Sequence, residues 1–363
     1  MTSLPLTMKA VLLKGHGGYE QLEYRSDVPV PQPGVGEVLI QVRAAALNNT
    51  DINMRVGWHA KSMTEDTATA SASIGSPAGP GDDGGWAGDA PTFPLIQGAD
   101  VCGHIVATGP GVSAARVGDR VIVDPVLRPS GDDADARCAY LGSDRNGAFS
   151  EFVCVPSINA FAITNSLTDA DLASFPCSYS AAENMLTRAK VCHGDTVLVT
   201  GASGGVGSAA VQLAIRRGAK VIAVAGASKS DQVARIGAFE VLPRDSDILA
   251  GIGRNSVNVV IDVVGGPQFG NLLEVLRREG RYAVAGAIGG PIVNLDLRTL
   301  YLKDLRLLGC TIPNPGVFAN LVGYIERDEI RPIVARTYQL SSLAEAQQEF
   351  LSKKHTGKIV LLL

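Results

Sequence analysis

The sequence predicts an α/β protein with two domains, an antiparallel β-barrel or sandwich and a doubly wound parallel sheet. The chain has 363 residues, more than twice the ~150 residues used as a guide to domain length. Short alternating apolar segments separated by Gly and Pro run to about residue 156, whereas after Thr168 apolar runs alternate with helical stretches. Hydrophobic residues make up 46% and charged residues 19%, which excludes a disordered or fibrous chain.

The first domain is predicted from segments in which apolar and polar residues alternate over a few positions. Gly and Pro lie between these segments, as is typical of antiparallel sheets. The predicted strands are 9–13, 37–46, 101–107, 120–123 and 148–155. A strand at 333–338, a helix and a strand at 358–363 are assigned to the same domain.

Residues 59–91 interrupt that pattern. The segment is rich in Ala, Ser, Gly and Asp and has little to bury, and loops of this length are commonly lids or disordered segments. We predict a flexible insertion. A disordered surface loop is one interpretation, and Trp58 and Trp86 towards its two ends favour the other, a partly ordered flap.

The second domain is predicted from short apolar strands with helical stretches between them. The predicted strands are 196–200, 220–225, 257–263, 281–285 and 305–308. The first strand runs into a glycine-rich turn, G-A-S-G-G-V-G (201–207), and an amphipathic helix follows. Glycines let the backbone turn sharply and approach a pyrophosphate, whose charge lies against the helix N-terminus. The turn predicts a dinucleotide site formed by Ala202, Ser203, Gly204, Gly205, Val206 and Gly207.

The end of the next strand indicates which dinucleotide binds. A site for NAD places Asp or Glu about 20 residues beyond the turn, where it binds the ribose hydroxyls. Residues 223–230 read A-V-A-G-A-S-K-S and hold no carboxylate. Ser228 and Lys229 can both donate to a 2′-phosphate, so we predict NADP(H) as the cofactor. The alternative is that Lys229 is a solvated cation at the start of the next helix.

The same turn also matches a nucleophile motif. Residues 201–205 have the form G-x-S-x-G, and Asp262 and His355 follow Ser203 in the order of a hydrolase triad. A hydrolase of that type has several wound strands before its serine, whereas the first half of this chain is predicted to be antiparallel. The dinucleotide interpretation is therefore favoured.

Charge and composition limit the partners. Lys and Arg number 32 against 36 Asp and Glu, so nothing draws the chain to nucleic acid or to an anionic membrane. No apolar run reaches the ~18 residues of a bilayer-spanning helix, and the start of the chain lacks a signal-peptide pattern. The six cysteines have no two within four residues of each other, which indicates reduced thiols. We expect a soluble, cytoplasmic protein with a small-molecule substrate.

Motifs along nearly the whole chain resemble those of one enzyme family. Besides the glycine turn they are P-G-V-G-E-V-L-I-Q-V-R-A-A-A-L-N-N-T-D (33–51), Q-G-A-D-V-C-G (97–103), V-G-D-R-V (117–121), D-V-V-G-G (262–266), G-R-Y-A-V-A-G-A (280–287) and H-T-G-K-I-V-L (355–361). With them the chain resembles the medium-chain dehydrogenase/reductase superfamily, and within it the quinone oxidoreductase-like, zinc-free branch.

The resemblance implies a GroES-like catalytic domain at 1–160 and 327–363, a Rossmann domain at 161–326, and an active cleft between them. It also implies further cofactor-binding residues. These are Ser180 at a helix start, Val264, Gly265, Ala285 and Gly286 near the nicotinamide, and Lys358 at the pyrophosphate. The implied partner is a second copy of the chain, because 305–311 (L-R-L-L-G-C-T) resembles the sheet edge through which such reductases dimerise.

The superfamily's alcohol dehydrogenases carry zinc ligands that the matching positions here lack. Those relatives have a Cys, a His-Glu pair and a second Cys, whereas this chain has Asn48, Ala99 with Asp100, and Cys177. A catalytic Zn²⁺ generally takes three ligands of Cys, His or carboxylate type. The region that matches the structural-zinc lobe, 126–149, contains only Cys138. The resemblance therefore predicts no catalytic metal.

Four residues are candidates for catalysis. Asn48 is expected to donate its amide to the substrate carbonyl or to order the nicotinamide, and Asp51 to orient the segment that follows it. Trp58 stands where some enoyl reductases of the superfamily place a tyrosine acid, but an indole does not supply a proton as a phenol does. Tyr179 could substitute for that acid, or it could be a buried tyrosine bound to the backbone.

Without a metal to acidify a hydroxyl, an unactivated alcohol is a poor hydride donor. An activated double bond or a quinone accepts hydride more easily, so we predict an NADPH-dependent enone or quinone reductase. Two other functions stay open. One is a dehydrogenase or ketone reductase with a rearranged metal site or none, and the other is an NADPH-binding protein of low turnover.

Overall fold

A computed structural model describes residues 4–72, 90–129 and 137–363 of the chain. Its N-terminal part consists of short strands joined by turns, with helices only after the third strand. These elements are β1 (Thr7–Leu13), β2 (Leu22–Pro29), β3 (Glu37–Ala46), α1 (Asn49–Val56), α2 (Thr67–Ala72), β4 (Leu95–Ile96), β5 (Cys102–Thr108), β6 (Arg120–Val123), β7 (Val126–Leu127), β8 (Ala139–Tyr140), β9 (Phe152–Pro156) and β10 (Ala160–Ala162).

The middle of the chain alternates strands with helices. Its elements are α3 (Asp169–Ala173), α4 (Pro176–Arg188), β11 (Thr196–Val199), α5 (Gly205–Arg216), β12 (Lys220–Ala225), α6 (Ser230–Arg235), β13 (Glu240–Pro243), α7 (Ile248–Ile252), β14 (Val257–Asp262), α8 (Phe269–Val275), β15 (Leu276–Val284), α9 (Leu297–Leu302), β16 (Arg306–Gly309) and α10 (Val317–Glu326). The strands form a parallel sheet in the order β13-β12-β11-β14-β15-β16, which is the doubly wound arrangement that was predicted.

The end of the chain returns to the first domain with β17 (Val334–Gln339), α11 (Leu343–Ser352) and β18 (Lys358–Leu362). One sheet there has the order β2-β1-β4, and a second has the order β10-β6-β5-β3-β18-β17 with β9 also paired to β3. β3 is almost wholly buried because it lies between β5, β9 and β18. Its apolar sequence, with Val, Leu, Ile and Ala at most positions, is suited to that place.

Strand prediction succeeded where apolar residues are concentrated. The predicted strand 120–123 is β6 without a change of bounds, and 148–155 shortens to β9 at 152–156. β2 was not predicted, because it is mostly exposed and its sequence L-E-Y-R-S-D-V-P has little apolar character. In the described residues no helix is both long and apolar enough to cross a membrane.

Part of the predicted insertion 59–91 is packed against the rest of the molecule. α2 contains the buried residues Thr67 and Ala70, and the backbone N–H of Thr67 donates to the carbonyl oxygen of Ile288 at 3.4 Å. This stretch therefore reaches from the first domain to the second. Residues 73–89, with Trp86, lie outside the described residues.

Candidate active site

A cleft of about 250 Å³ lies where the two domains meet. Its second-domain wall follows the carboxyl ends of β11, β14 and β15, the usual place for a ligand in an open parallel sheet. Residues from both domains line the cleft, among them Asn48, Trp58, Tyr140, Lys353 and Lys358 from the first, and Cys177, Ser180, Gly204, Gly205, Val263, Ala285 and Gly286 from the second.

The glycine turn forms a backbone cradle on one wall. Gly201 has a φ of +58°, which favours glycine, and a Cβ on Gly207 would lie 2.1 Å from the carbonyl oxygen of Gly201. A Cβ on Gly205 would lie 2.7 Å from Ser178 Oγ and 2.8 Å from Lys358 Cδ. α5 begins at Gly205 without a side-chain cap, so its first backbone N–H groups can bind a ligand. The cradle therefore fits the pyrophosphate of a dinucleotide.

Of the six residues predicted for this turn, four line the cleft, namely Gly204, Gly205, Val206 and Gly207. The other two hold the turn in place. The N–H of the fully buried Ala202 donates to the carbonyl oxygen of Val224 at 3.0 Å. The carbonyl oxygen of Ser203 accepts from the N–H of Gly357 at 2.8 Å, which ties the turn to the first domain.

Asp262 fixes the turn that follows β14. Its Oδ1 accepts from Thr200 Oγ1 at 2.5 Å and from the N–H of Val264 at 2.8 Å and of Gly265 at 3.1 Å. Val264 and Gly265, both predicted near the nicotinamide, are thus held by this carboxylate, and their neighbour Val263 is the one that lines the cleft. The predicted Ala285 and Gly286 line it as well.

The alternative nucleophile triad is not assembled. Besides the donors above, Asp262 accepts from the hydroxyl of Tyr282, so its carboxylate does not orient His355. Ser203 is buried and outside the cleft lining. Within the described residues His355 Nδ1 has no hydrogen-bond partner. A hydrolase is therefore excluded as the function of this turn.

The positions that match zinc ligands meet at one point of the cleft, and an ammonium group lies among them. Lys358 Nζ donates to Asp100 Oδ2 at 2.9 Å and to Asn48 Oδ1. Asn48 Nδ2 donates to Asp100 Oδ2 at 2.9 Å, and the backbone N–H of Cys177 donates to Asp100 Oδ1 at 2.6 Å. The side chains of Lys358 and Asp100 are 4% and 0% exposed. We call these three side chains, Asn48, Asp100 and Lys358, the lysine network.

The lysine network does not fit a catalytic zinc ion. The amide of Asn48 and the methyl group of Ala99 are not ligands of the Cys, His or carboxylate type, and a cation already lies against Asp100. In the part of the chain that the structure describes, no group of three or more His, Cys, Asp or Glu side chains is placed to hold a metal ion.

Asp51 lies beneath this network rather than in the cleft lining. Its Oδ2 accepts from the N–H of Asn48 at 2.7 Å, and its carbonyl oxygen accepts from Gln97 Nε2 at 2.8 Å. Burial raises the pKa of Asp51 to about 7, and the nearby charge of Asp100 adds to the shift. These contacts place Asp51 against the start of α1, and its expected role of orienting the segment that follows stays a prediction.

The side chains of the two aromatic candidates, Tyr179 and Trp58, both donate hydrogen bonds to backbone carbonyl oxygens. Tyr179 is not a cleft residue: its hydroxyl donates to the carbonyl oxygen of Arg331 at 2.9 Å and accepts from Gln212 Nε2 at 3.0 Å. The expectation that it could be a catalytic acid is therefore corrected in favour of a buried tyrosine bound to the backbone. Trp58 lines the cleft, with Nε1 donating to the carbonyl oxygen of Glu65 at 3.0 Å.

Tyr140 is the phenol that the sequence did not indicate. It lies in the cleft lining, and its hydroxyl donates to Cys177 Sγ at 3.1 Å. Burial raises the pKa of Tyr140 well above its ordinary value, and the neighbouring thiol adds to the shift. Burial also raises the pKa of Cys177 to about 12. Both groups therefore carry their protons at neutral pH.

A cluster of cations lies at the end of β12, where the adenosine ribose of a dinucleotide is expected. Lys229 Nζ donates to the carbonyl oxygen of Lys353 at 2.5 Å, while Ser228 is exposed. Burial and then the charge of Lys229 lower the pKa of Lys353 to about 8. Burial and then the charge of Arg244 lower the pKa of Lys229. We call Lys229, Arg244 and Lys353 the cation cluster; Lys353 was missed because it lies 124 residues away in sequence from Lys229.

Known proteins of similar sequence are oxidoreductases. The alcohol dehydrogenase GroES-like domain family matches residues 34–165, and the zinc-binding dehydrogenase family matches residues 205–327. The acryloyl-coenzyme A reductase of Metallosphaera sedula is 30% identical, over 98% of this chain and 99% of that protein. The quinone oxidoreductase of Rattus norvegicus is 27% identical, over 98% of each chain.

The same likeness extends to solved structures. A chain from Sinorhizobium meliloti 1021, provisionally named an alcohol dehydrogenase, is 46% identical and superposes with a TM-score of 0.88. The match covers 100% of this chain and 98% of that one. The fold of the whole chain is therefore shared with this protein.

Proposed function

The chain belongs to the medium-chain dehydrogenase/reductase superfamily, and from that premise we propose an NADPH-dependent reductase that acts without catalytic zinc. Its acceptor is an activated C=C bond, as in an enone or enoyl thioester, or a quinone. The superfamily makes the chain an oxidoreductase that uses a nicotinamide cofactor. The observation that carries the rest is the lysine network, in which Asn48 and Asp100 stand at positions that match metal ligands and the ammonium of Lys358 binds both.

The cofactor would lie along the second-domain wall of the cleft. The N–H groups at the start of α5 would hold its pyrophosphate, and Ala285 and Gly286 would border its nicotinamide. When bound, NADPH supplies a hydride to the acceptor. The protein's part is to bind the acceptor beside that ring, stabilise the charge that forms on it and provide a proton.

The cation cluster supports NADPH over NADH. Burial lowers the pKa of Lys353 to about 8, and the charge of Lys229 adds to the shift. A 2′-phosphate placed among these groups would replace that repulsion with charge-assisted hydrogen bonds. NADH has no group that would do so.

Tyr140 supports the choice of reduction as the reaction. Adding hydride to a C=C bond conjugated with a carbonyl leaves an enolate, which must take up a proton to give the saturated product. Tyr140 is a protonated phenol in the cleft lining. In the free protein its O–H donates to Cys177 Sγ. We assign Tyr140 the role of proton donor, which neither Trp58 nor Tyr179 can fill, with its O–H turning from Cys177 to the bound acceptor.

A screen of NADPH oxidation tests this function. Purified protein is supplied with quinones, enones, acryloyl-coenzyme A, ketones and simple alcohols, each with and without a chelator. We expect turnover with quinones, enones or the thioester, unchanged by the chelator, and weaker turnover with NADH. Near-stoichiometric zinc in the protein, together with chelator-sensitive oxidation of alcohols, would contradict it.

A second candidate function is an alcohol dehydrogenase or ketone reductase. The likeness to the Sinorhizobium meliloti chain, at 46% identity, favours it through the provisional name of that protein. The zinc content and the alcohol arm of the same screen distinguish it from the first. Saturable NADPH binding without turnover on any acceptor would favour the remaining alternative, a cofactor-binding protein of low activity.

We also propose a homodimer in the cytoplasm. β16 is an edge strand of the parallel sheet, and large apolar side chains are exposed beside it, namely Ile292, Leu297, Tyr301, Leu302 and Leu307. Such an edge is suited to continue into the same edge of a second copy. Sedimentation should give twice the monomer mass, and the substitution Leu302→Lys should reduce it. The six free thiols agree with a reducing compartment.

A further inference from the structure

We propose that the Lys358 ammonium is the group that binds the acceptor's carbonyl oxygen and stabilises the negative charge that forms there. The inference rests on the proposed reduction of an activated acceptor and names the residue that replaces a metal ion in it. It differs from the two roles that the sequence suggested, a pyrophosphate contact for Lys358 and a carbonyl contact for Asn48.

Counting hydrogen-bond donors removes Asn48 from consideration. A side-chain amide has two N–H bonds. Asn48 Nδ2 directs them to Asp100 Oδ2 at 2.9 Å and to the carbonyl oxygen of Ala46 at 3.3 Å, and Asn48 Oδ1 accepts from Lys358. The amide therefore has no donor left for a substrate. Its function is to hold the lysine and the carboxylate at fixed positions.

The same count leaves Lys358 with a donor. An ammonium group has three N–H bonds, and Lys358 uses one for Asp100 and one for Asn48. Lys358 lines the cleft, so its third N–H is available to a ligand there. A charged donor in a water-poor cavity stabilises a developing oxyanion more strongly than a neutral amide does.

Asp100 does not cancel the effect of this cation. Its charge is shared among donors from three residues, because Oδ2 accepts from Lys358 and Asn48 and Oδ1 accepts from the N–H of Cys177. That N–H belongs to the first turn of α4, where the helix dipole also favours a negative charge. Asp100 thus aligns Lys358 while part of its own charge is neutralised by other groups.

The groups already named account for the electrons and protons of the reaction. Hydride adds to the β-carbon of the acceptor, and the electron pair of the C=C bond moves towards the carbonyl, which leaves negative charge on oxygen beside Lys358. A proton from Tyr140 then forms the C–H bond at the α-carbon, and the phenolate regains a proton from water. The acceptor gains two electrons and two hydrogens, and the cofactor is oxidised.

The test compares two acceptors whose reduced anions differ in basicity. But-3-en-2-one gives a strongly basic enolate, whereas 1,4-naphthoquinone gives a less basic phenolate that needs less stabilisation. We expect Lys358→Met to lower kcat about 100-fold to 1,000-fold with the enone, the usual effect of removing one oxyanion donor, and less than about 10-fold with the quinone. The Kd for NADPH, measured by fluorescence titration, should change by less than about threefold.

Two further variants keep the test decisive. Lys358→Arg should retain part of the enone activity, because it keeps a cation. Lys358→Met leaves Asp100 as a buried unpaired charge, so the double variant Lys358→Met with Asp100→Asn is made as well and should show the same contrast between acceptors. Lys354→Met, at an exposed lysine of the same segment, is the matched control and should behave as wild type.

Two results would overturn the inference. An equal loss for both acceptors together with a tenfold higher Kd for NADPH would make Lys358 a pyrophosphate ligand. An unchanged ratio of the two acceptors in both Met variants would give it a structural role only. If wild-type protein reduces neither of these acceptors nor acryloyl-coenzyme A, the proposed function itself fails, which is a different outcome from a wild type that is active.

Discussion

The cleft has the buried lysine network at one end and the cation cluster at the other, where Lys229 and Lys353 are half-buried and Arg244 is exposed. Their charges are arranged in opposite ways. In the lysine network the ammonium of Lys358 lies 2.9 Å from a carboxylate, and their hydrogen bonds are made within the protein. In the cation cluster, Lys353 and Lys229 are neighbours of like charge, and the pKa of each is lowered, first by burial. At the first end the cation Lys358 is paired with a carboxylate in the free protein, whereas at the second the charge that acts on Lys353 is that of another cation.

This difference indicates that the lysine network is suited to catalysis and the cation cluster to binding a phosphate. A charge that must act on a transition state has to be held in place beforehand, since reorganisation during the reaction would cost part of its effect. A charge that recognises a phosphate gains most if the free protein leaves it unsatisfied. The predictions below test that contrast, from the largest expected effect to the smallest.

Asp100→Asn should have the largest effect, because it leaves the Lys358 cation buried without its counter-charge. Removing one partner of a buried pair typically costs about 3–5 kcal/mol. We expect the free energy of unfolding, measured by guanidinium denaturation, to fall by about that amount. The control is Asp27→Asn in the exposed pair of Arg25 and Asp27, which should leave the denaturation midpoint close to that of wild type. Equal effects at the two sites would contradict the buried network.

Lys353→Met should weaken cofactor binding without lowering stability. It removes a cation whose neighbour is another cation, so the unfolding midpoint should stay the same or rise. The loss of one charge-assisted hydrogen bond, worth about 1.5–3 kcal/mol, should weaken NADPH binding about 10-fold to 100-fold. NADH binding should not change. Lys354→Met is the control, and a parallel loss of NADH affinity would remove the 2′-phosphate from this site.

Gly205→Ala tests the point where the glycine turn and the lysine network touch. The added methyl group would lie 2.8 Å from Lys358 Cδ and 2.7 Å from Ser178 Oγ. Overpacking of this kind costs about 1–3 kcal/mol, which should appear as a lower unfolding midpoint with reduced NADPH affinity. Gly270→Ala in α8, where a Cβ meets nothing within 4 Å, is the matched variant and should lower neither quantity.

The pH dependence of cofactor affinity should reveal the cation cluster with the smallest effect. Because the folded-state pKa of Lys353 is lowered to about 8, the free protein loses this charge above pH 8. The Kd for NADPH should then rise by up to about tenfold between pH 7 and pH 9, and that for NADH should stay level. In Lys353→Met the NADPH curve should flatten.

The same lysine affects folding with a definite sign. Its pKa is lower in the folded state than the ordinary 10.5, so the unfolded chain binds more protons between about pH 8 and 10.5. Its contribution to the free energy of unfolding therefore rises with pH across that window. Titration of stability in wild type and Lys353→Met would show the difference.

Sequence reasoning succeeded for features written in consecutive residues. The glycine turn follows a buried strand and precedes a helix, and the backbone geometry of Gly201 and Gly207 requires glycine for reasons that hold in any chain. The parallel sheet followed from apolar strands that alternate with helical stretches, whereas the order of its strands was not predicted. Local composition is enough for such features, because neighbouring residues determine them.

The arrangement of the site could not be obtained in this way. Lys358 and Asn48 are 310 residues apart, so the donor count that changes the role of Asn48 exists only once the strands pair. Tyr140 lies in a short strand without a motif, and Tyr179 was the more visible tyrosine because it neighbours Ser180 in α4. The direction of each side chain in the fold, which the sequence does not give, places Tyr140 in the cleft lining and Tyr179 outside it.

The contact between Gly204 and Gly357 has a mechanical consequence. A backbone bridge joins these residues, one from each domain, and the N–H of Gly357 donates to the carbonyl oxygen of Ser203. Separating the two domains at this point would break that hydrogen bond, whereas separating them at the opposite side of the cleft would leave it intact. Lys358 is the next residue after Gly357, so we expect its ammonium to keep its position if the cleft widens on that opposite side.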